Sequence, residues 1–290
     1  MKLDLPIVST QWLADNLDNP ALRLFDVSQY LVFDPDGAHY RVESGLNKWA
    51  ESHIPGANYL DLLKEFSDTS KPIPATMLPY DKLAERCAAH GIGDDSCVVV
   101  YSAVMPMWAA RMFWMLRSIG FKNVAILDGS VEKWLREGRP MSTEQSAYAP
   151  AQLTARPNPA MWADKAEVLR CIHDEKVCTM NALQPDVYDG SMERYGRAGH
   201  IPGSLNVFSD DLFDAQTGEM LPLEELRKKF EQAQPFGRRT IVHCGGGVSA
   251  ALNAIALEML GHQDVAVYDG SMYEWCADPA LPLVLGAEPG

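Results

Sequence analysis

The chain repeats itself. His53-Ile54-Pro55-Gly56-Ala57-Asn58 returns as His200-Ile201-Pro202-Gly203-Ser204-Leu205-Asn206. The apolar run Cys97-Val98-Val99-Val100-Tyr101, followed by Ser102, returns as Arg239-Thr240-Ile241-Val242-His243, followed by Cys244. Leu116-Arg117-Ser118-Ile119-Gly120 matches Leu257-Glu258-Met259-Leu260-Gly261. Leu127-Asp128-Gly129-Ser130 with Trp134 matches Tyr268-Asp269-Gly270-Ser271 with Trp275. Elements recurring in this order fold twice into one architecture. The shared text includes Pro-Gly and Asp-Gly turns as well as apolar cores, so where the chain reverses is fixed along with what it buries.

Within each copy, short apolar runs alternate with patterns of helical spacing. In the first, Ser9 to Leu17 reads as a capped helix and Leu22 to Val27 as a strand. A polar, glycine-bearing stretch then runs to Glu51. Asp81 to His90 is a helix closed by Gly91, and Cys97 to Tyr101 is a buried strand. Ala109 to Ser118 is a helix, Val124 to Leu127 a strand, and Val131 to Arg136 a short helix. The second copy restarts with a helix over Asp164 to Cys171 and a strand over Val177 to Met180. Such alternation predicts α/β architecture, with a mostly parallel sheet covered on both faces.

At 290 residues there is room for two domains. Pro150 and Pro157, flanked by Pro140 and Pro159, sit in a segment of weak periodicity. The expected division is a first domain over 1–142, a linker over 143–157 and a second domain over 158–290. The net charge of −14 argues against a nucleic-acid partner. No apolar run is long enough to span a membrane, and the first residues have no signal-peptide core, so a soluble cytoplasmic protein is expected. Cys87, Cys97, Cys171, Cys178, Cys244 and Cys276 form no C-x-x-C pair, which points away from zinc and from a redox dithiol. The expectation is chemistry without metal or cofactor.

The repeat breaks its symmetry at one place. Cys244 opens the loop Cys244-Gly245-Gly246-Gly247-Val248-Ser249, which leads into a helical pattern. Glycines let backbone N–H groups converge, and a helix N-terminus adds to the anion-binding field. A thiol there should ionise readily and act as a nucleophile; on local grounds alone, a structural cysteine in a glycine turn fits equally well. In the first copy the equivalent position is Ser102, followed by Ala103-Val104-Met105-Pro106-Met107-Trp108 with no glycine. The fold therefore does not require the cysteine and glycines, and their presence in the second copy points to chemistry.

On the paired His-Ile-Pro-Gly turns, the paired Asp-Gly-Ser…Trp endings and the lone Cys244 loop, the chain resembles the tandem-domain rhodanese family of sulfurtransferases. The resemblance covers nearly the whole chain. It implies two doubly wound α/β domains, the second carrying the catalytic Cys244. It also implies transfer of a sulfane sulfur from a small donor through a Cys244 persulfide. The acceptor would be cyanide, a small thiol or a thioredoxin-like dithiol protein. Backbone N–H groups of Gly245, Gly246, Gly247 and Val248 would stabilise the anionic sulfur, with Ser249 adding a hydroxyl. The loop is neutral, which resembles members acting on 3-mercaptopyruvate more than the basic loops of thiosulfate enzymes. Arg194 matches the family's substrate-binding arginine, and Arg197 is a second candidate for the donor carboxylate. The chain departs from the family at Gly246, where some mercaptopyruvate enzymes have serine, and at Asn181-Ala182-Leu183, where Asp-Ala-Arg is usual.

Other residues are expected to be structural: His243 on the strand face opposite Cys244, His53 and His200 in the twin turns, Asp61 and Cys276. Met107 and Trp108 either fill the first copy's loop or wall the pocket. A Cys-x5-Arg phosphatase is excluded because Ala250 stands where the arginine is needed. A persulfide carrier without turnover shares the same loop and is the alternative to an enzyme.

Overall fold

The computed structural model describes residues 1–35, 37 and 39–290. In the first half the chain forms β1 (Ile7–Val8), α1 (Thr10–Asn16), β2 (Leu22–Asp26), β3 (Gln29–Phe33), β4 (Tyr40–Ser44), α2 (Leu46–Glu51), β5 (Asn58–Tyr59), α3 (Tyr80–Ala89), β6 (Cys97–Tyr101), α4 (Pro106–Ser118), β7 (Val124–Leu127) and α5 (Ser130–Arg136). The second half gives β8 (Trp162–Ala163), α6 (Lys165–Cys171), β9 (Val177–Asn181), α7 (Pro185–Asp189), β10 (Ser204–Asn206), α8 (Leu223–Phe230), β11 (Arg239–His243), α9 (Ala250–Met259), β12 (Val265–Tyr268) and α10 (Ser271–Ala277).

The strands make two parallel sheets with the same order, β1-β7-β6-β2-β5 and β8-β12-β11-β9-β10. The fold is a pair of doubly wound α/β units: the repeat implied the pairing, and the family resemblance the doubly wound form. The middle strands, β6 and β11, are buried almost throughout, which explains their apolar composition. The expected cap of α1 is present, and α6 starts at Lys165 with Asp164, expected inside the helix, as its cap. The Ser9 hydroxyl caps α1 by accepting from the Trp12 N–H at 3.0 Å, and the Asp164 carboxylate caps α6 through the Glu167 N–H at 2.7 Å.

Two other local expectations change. Helix α4 starts at Pro106, earlier than Ala109, because proline is pre-set for a first helical turn that needs no amide donor. The polar stretch before Glu51 contains the antiparallel hairpin β3–β4 and helix α2. Residues 143–157 form no helix or strand, but they are tied along the first half. The Tyr148 hydroxyl donates to the Gly56 carbonyl at 2.8 Å and accepts from the Leu24 N–H at 3.0 Å.

Helices α4 and α9 pack against each other at the centre of the molecule. Around them one apolar core runs continuously from Phe25 in the first half to Leu281 in the second. The Asp269 carboxylate accepts from the Met77 N–H at 3.0 Å, and its counterpart Asp128 accepts from the Met220 N–H at 2.8 Å. Each half thus holds the other by the same device. Arg117 on α4 pairs with Glu258 on α9 at 2.5 Å.

Candidate active site

Cys244 follows β11, at the carboxyl end of the second sheet, where ligands bind in open α/β folds. It is 2% exposed and lies in the wall of a cavity of about 390 Å³. Gly245, Gly246, Val248 and Ser249 line the same cavity, and Gly247 does not.

The loop's shape follows from where its peptide groups are tied. In a trans peptide the C=O and the next N–H point in opposite directions. The Met272 and Tyr273 N–H groups, at the start of α10, donate to the carbonyls of Cys244 and Gly245 at 3.0 and 2.9 Å. This turns the N–H groups of Gly245 and Gly246 away from α10. The Gly247 carbonyl accepts from Arg111 at 3.1 Å, which turns the Val248 N–H the other way. At the start of α9, the Val248 carbonyl accepts from the Ala251 N–H at 3.1 Å, so the Ser249 N–H faces back toward the loop. Among the described residues, no acceptor lies within reach of these four amides. They form a donor cradle at the N-terminus of α9.

The Gly247 N–H is not part of it. It donates to the Ser271 hydroxyl oxygen at 3.1 Å, and so does the Cys244 N–H at 3.1 Å. The expected cradle of residues 245–248 is therefore corrected to Gly245, Gly246, Val248 and Ser249. Gly247 has the geometric role: its φ is +70°, and a Cβ there would lie 2.8 Å from the Asp269 carbonyl oxygen. Ser249 lines the cavity, and its hydroxyl makes no helix-capping bond.

The first half supplies the roof. Leu31 and Phe33 from β3, Tyr40 and Val42 from β4, and Met107 and Trp108 from α4 face the cavity. Of the two readings of Met107 and Trp108, walling the pocket is the one the structure bears out. The Tyr40 and Tyr273 hydroxyls meet at 3.4 Å. Tyr195 packs edge-on against Tyr273, with ring centroids 4.9 Å apart. Burial, then the neighbouring Cys244, raises the Tyr195 phenol above its usual range, so it stays protonated. Its hydroxyl sits where a Cβ on Gly245 would go.

Arg194 lines the cavity with its guanidinium 5.7 Å from the Phe33 ring centroid and 3.4 Å from the Gly37 carbonyl oxygen. Arg197 does not reach the cavity. Its guanidinium donates to the carbonyls of Asp278 and Leu281, both at 2.9 Å, tying down the chain after α10. The candidate role of Arg197 in donor binding is corrected to this one.

His53, His200, Asp61 and Cys276 stand apart from the cavity. His53 bonds the Trp49 carbonyl at 2.7 Å, and His200 bonds the Tyr188 carbonyl at 2.8 Å. Asp61 accepts from Ser44 at 2.8 Å. The Cys276 thiol, pushed up to about 11 by burial, lies 3.7 Å from the Arg197 carbonyl oxygen. Asn181 accepts from the Leu183 N–H at 2.8 Å, and Ala182 and Leu183 line the cavity.

The Rhodanese-like domain model matches residues 9–137 and 181–278. The chain belongs to the rhodanese family. It is 32% identical to rat thiosulfate sulfurtransferase, covering 93% of this chain and 91% of the relative. It is 30% identical to human 3-mercaptopyruvate sulfurtransferase over the same shares. The crystal structure of SseA from Escherichia coli, a 3-mercaptopyruvate enzyme, superposes with a TM-score of 0.80 at 27% identity, covering 92% of this chain and 98% of that one. These relatives are sulfurtransferases, and so is this rhodanese. Thiosulfate and mercaptopyruvate enzymes stand equally near in sequence, so overall similarity does not choose the donor. No helix among the described residues is long and apolar enough to cross a membrane.

Sequence reasoning missed Arg111, Tyr40, Tyr195, Ser271 and Tyr273. Ser271 carried a signal, since it closes one of the twin Asp-Gly-Ser turns, and both serines take positive φ. Their bonding differs: Ser130 donates to the Ser102 carbonyl, whereas Ser271 also gathers two amides of the Cys244 loop.

Proposed function

We propose that this rhodanese transfers sulfane sulfur through a persulfide on Cys244 and that 3-mercaptopyruvate is a better donor than thiosulfate. The observation that carries the reading is the cradle of Gly245, Gly246, Val248 and Ser249 N–H groups beside a single thiol. Such a cradle favours negative charge on sulfur both before and after transfer.

In the first step the Cys244 thiolate attacks the donor's sulfur. The S–S bond forms as the C–S bond breaks, and the electron pair leaves on carbon as the enolate of pyruvate. The donor's thiol proton ends on that carbon, giving pyruvate and the persulfide anion Cys244–S–S⁻. In the second step an acceptor takes the outer sulfur and returns the thiolate: cyanide leaves as thiocyanate, and a small thiol or a dithiol protein as its persulfide. This is a two-step scheme with a covalent intermediate.

The donor preference rests on charge. The loop carries no cation to meet a dianion, and the cavity walls are largely aromatic and aliphatic. Among the described residues two arginines line the cavity; Arg41 is exposed and paired with Glu43 at 2.9 Å, and Arg194 suits a single carboxylate. Steady-state kinetics with both donors and cyanide, on the wild type and on Cys244→Ser, provide the test. We expect kcat/KM about tenfold higher for mercaptopyruvate and no turnover by the variant. The reverse donor ranking rejects the preference; activity in Cys244→Ser rejects the mechanism. Single stoichiometric loading without turnover identifies a carrier instead.

A further inference from the structure

Arg111 belongs to the first half of the molecule, on α4, yet its guanidinium ends in the Cys244 loop of the second. It is 1% exposed. Nη1 donates to the Gly247 carbonyl at 3.1 Å. Nη2 donates to the Ala75 carbonyl at 2.6 Å and to the Asp269 carboxylate at 2.5 Å. The Trp162 ring lies against it, 4.6 Å from the guanidinium carbon. A side chain fixed on so many sides holds its partners in place.

We propose that Arg111 is a positioning residue for sulfur transfer: by holding the Gly247 carbonyl outside the cavity, it turns the Val248 N–H toward the sulfur carried by Cys244. The inference rests on the persulfide mechanism above and extends it to a residue from the other half of the chain. The peptide between Gly247 and Val248 is planar, so its C=O and N–H cannot be aimed independently. A flip that freed the carbonyl would put an oxygen dipole where an amide is needed. Glycine, with φ at +70°, offers little resistance to such a flip. The hold has to come from outside the loop.

The molecule contains its own comparison. The offset in chain position that maps Asp128 onto Asp269, and Ser130 onto Ser271, maps Arg111 onto Leu252. In the half whose loop begins with Ser102, the aspartate thus has leucine where Asp269 has arginine. Leu252 and Asp128 line one small cleft there, and burial pushes the Asp128 carboxyl above its usual range. The Asp128 bond to the Met220 N–H survives without an arginine. Tying the halves together therefore does not require Arg111, and the arginine occurs on the side with the cysteine.

A simpler role, as an adhesive between α4 and the second half, makes a different prediction. Arg117 is on the same helix and bridges the same interface through Glu258, but neither residue lines the Cys244 cavity. Three measurements on the full chain separate the roles: steady-state kinetics giving kcat and KM with mercaptopyruvate and cyanide, the pH midpoint of Cys244 alkylation by iodoacetamide, and thermal stability. For Arg111→Met we expect kcat to fall about tenfold with KM within about twofold, and the alkylation midpoint to move up by about one unit. Arg111→Lys, which keeps the charge and a donor, should recover part of both. Arg117→Gln should lose stability yet keep the wild-type kcat and midpoint.

If Arg111→Met does not fold, Asp269→Asn weakens the hold at nearly constant shape and should shift kcat and midpoint in the same direction. Wild-type values in Asp269→Asn and Arg111→Lys together overturn the proposal. So does an equal shift in Arg117→Gln and Arg111→Met. Mass measurement after one turnover with donor alone separates this failure from that of the mechanism. A wild type with no added sulfur on Cys244 rejects the persulfide reading, whereas equal loading and equal kinetics in wild type and Arg111→Met reject only the positioning role.

Discussion

Among single residues, Cys244 and its neighbour His243 show how far one step along a strand separates two fates. Cys244 faces the cavity. His243 is fully buried on the other face, and neither ring nitrogen finds a partner among the described residues. Burial, and then the nearby His200, lowers the imidazole to about 3, so in the folded protein it stays neutral down to about that pH. In the unfolded chain it takes a proton near pH 6.5. The folded value is the lower one, so the contribution to stability is complete above about pH 6.5 and declines as pH falls toward about 3, by about 1.4 kcal/mol per unit. Melting temperature measured from pH 7.5 to 4.5 should fall, and His243→Leu should flatten that fall; an unchanged slope would refute the assignment. The strand alternation that placed His243 away from chemistry was legible in the sequence. So was Cys244, because its loop interrupts a repeat. Arg111 and Tyr195 were not: each meets the loop only after the chain has folded, and nothing in their local text differs from an ordinary helix or loop residue.

Among the elements, the glycine loop and the first turn of α10 act as one unit. Two orphan amides of that turn satisfy two loop carbonyls, and Ser271 satisfies two loop amides. The three glycines should therefore respond differently to substitution. A Cβ at Gly247 meets a positive φ, the Asp269 backbone and Arg111, all unyielding. At Gly246 its nearest neighbour is 3.4 Å away, on the Tyr273 ring. Gly247→Ala should cost about 1–3 kcal/mol and most of the turnover, while Gly246→Ala should stay within about 1 kcal/mol of wild type, the ordinary range for Gly against Ala. Chemical denaturation and steady-state rates check both; equal penalties would show that the loop is not held as described. The sequence could not rank the glycines, because the ranking depends on what packs outside the loop. Nor did it disclose the β3–β4 hairpin. Tyr40-Arg41-Val42-Glu43 does alternate, but only over four residues, and Tyr30-Leu31-Val32-Phe33 is apolar on both faces, so neither run stands out from the polar stretch around it.

In the molecule as a whole, the parallel sense of the sheets followed from the alternation of strands and helices, and their doubling from the repeat; the strand order was not legible in either. What the repeat did not convey is that the two copies share one core. With α4 against α9 and the larger apolar cluster continuous across both halves, most of the interior is shared; a smaller cluster including Leu13, Val99 and Trp134 belongs to the first half alone. Unfolding followed by tryptophan fluorescence and by far-ultraviolet circular dichroism should give coincident transitions; two resolved steps would contradict a shared core. The exchanged ties, Asp269 to Met77 and Asp128 to Met220, have a further consequence. Contacts swapped by a twofold axis are those of an isologous interface, in which two identical subunits must offer each other the same patch. Any residue improved for one subunit's loop is then imposed on the other. Joining the subunits in one chain removes that obligation. Position 111 can then be arginine while its counterpart is leucine, and one half can become the wall of a chamber that only the other half needs to use.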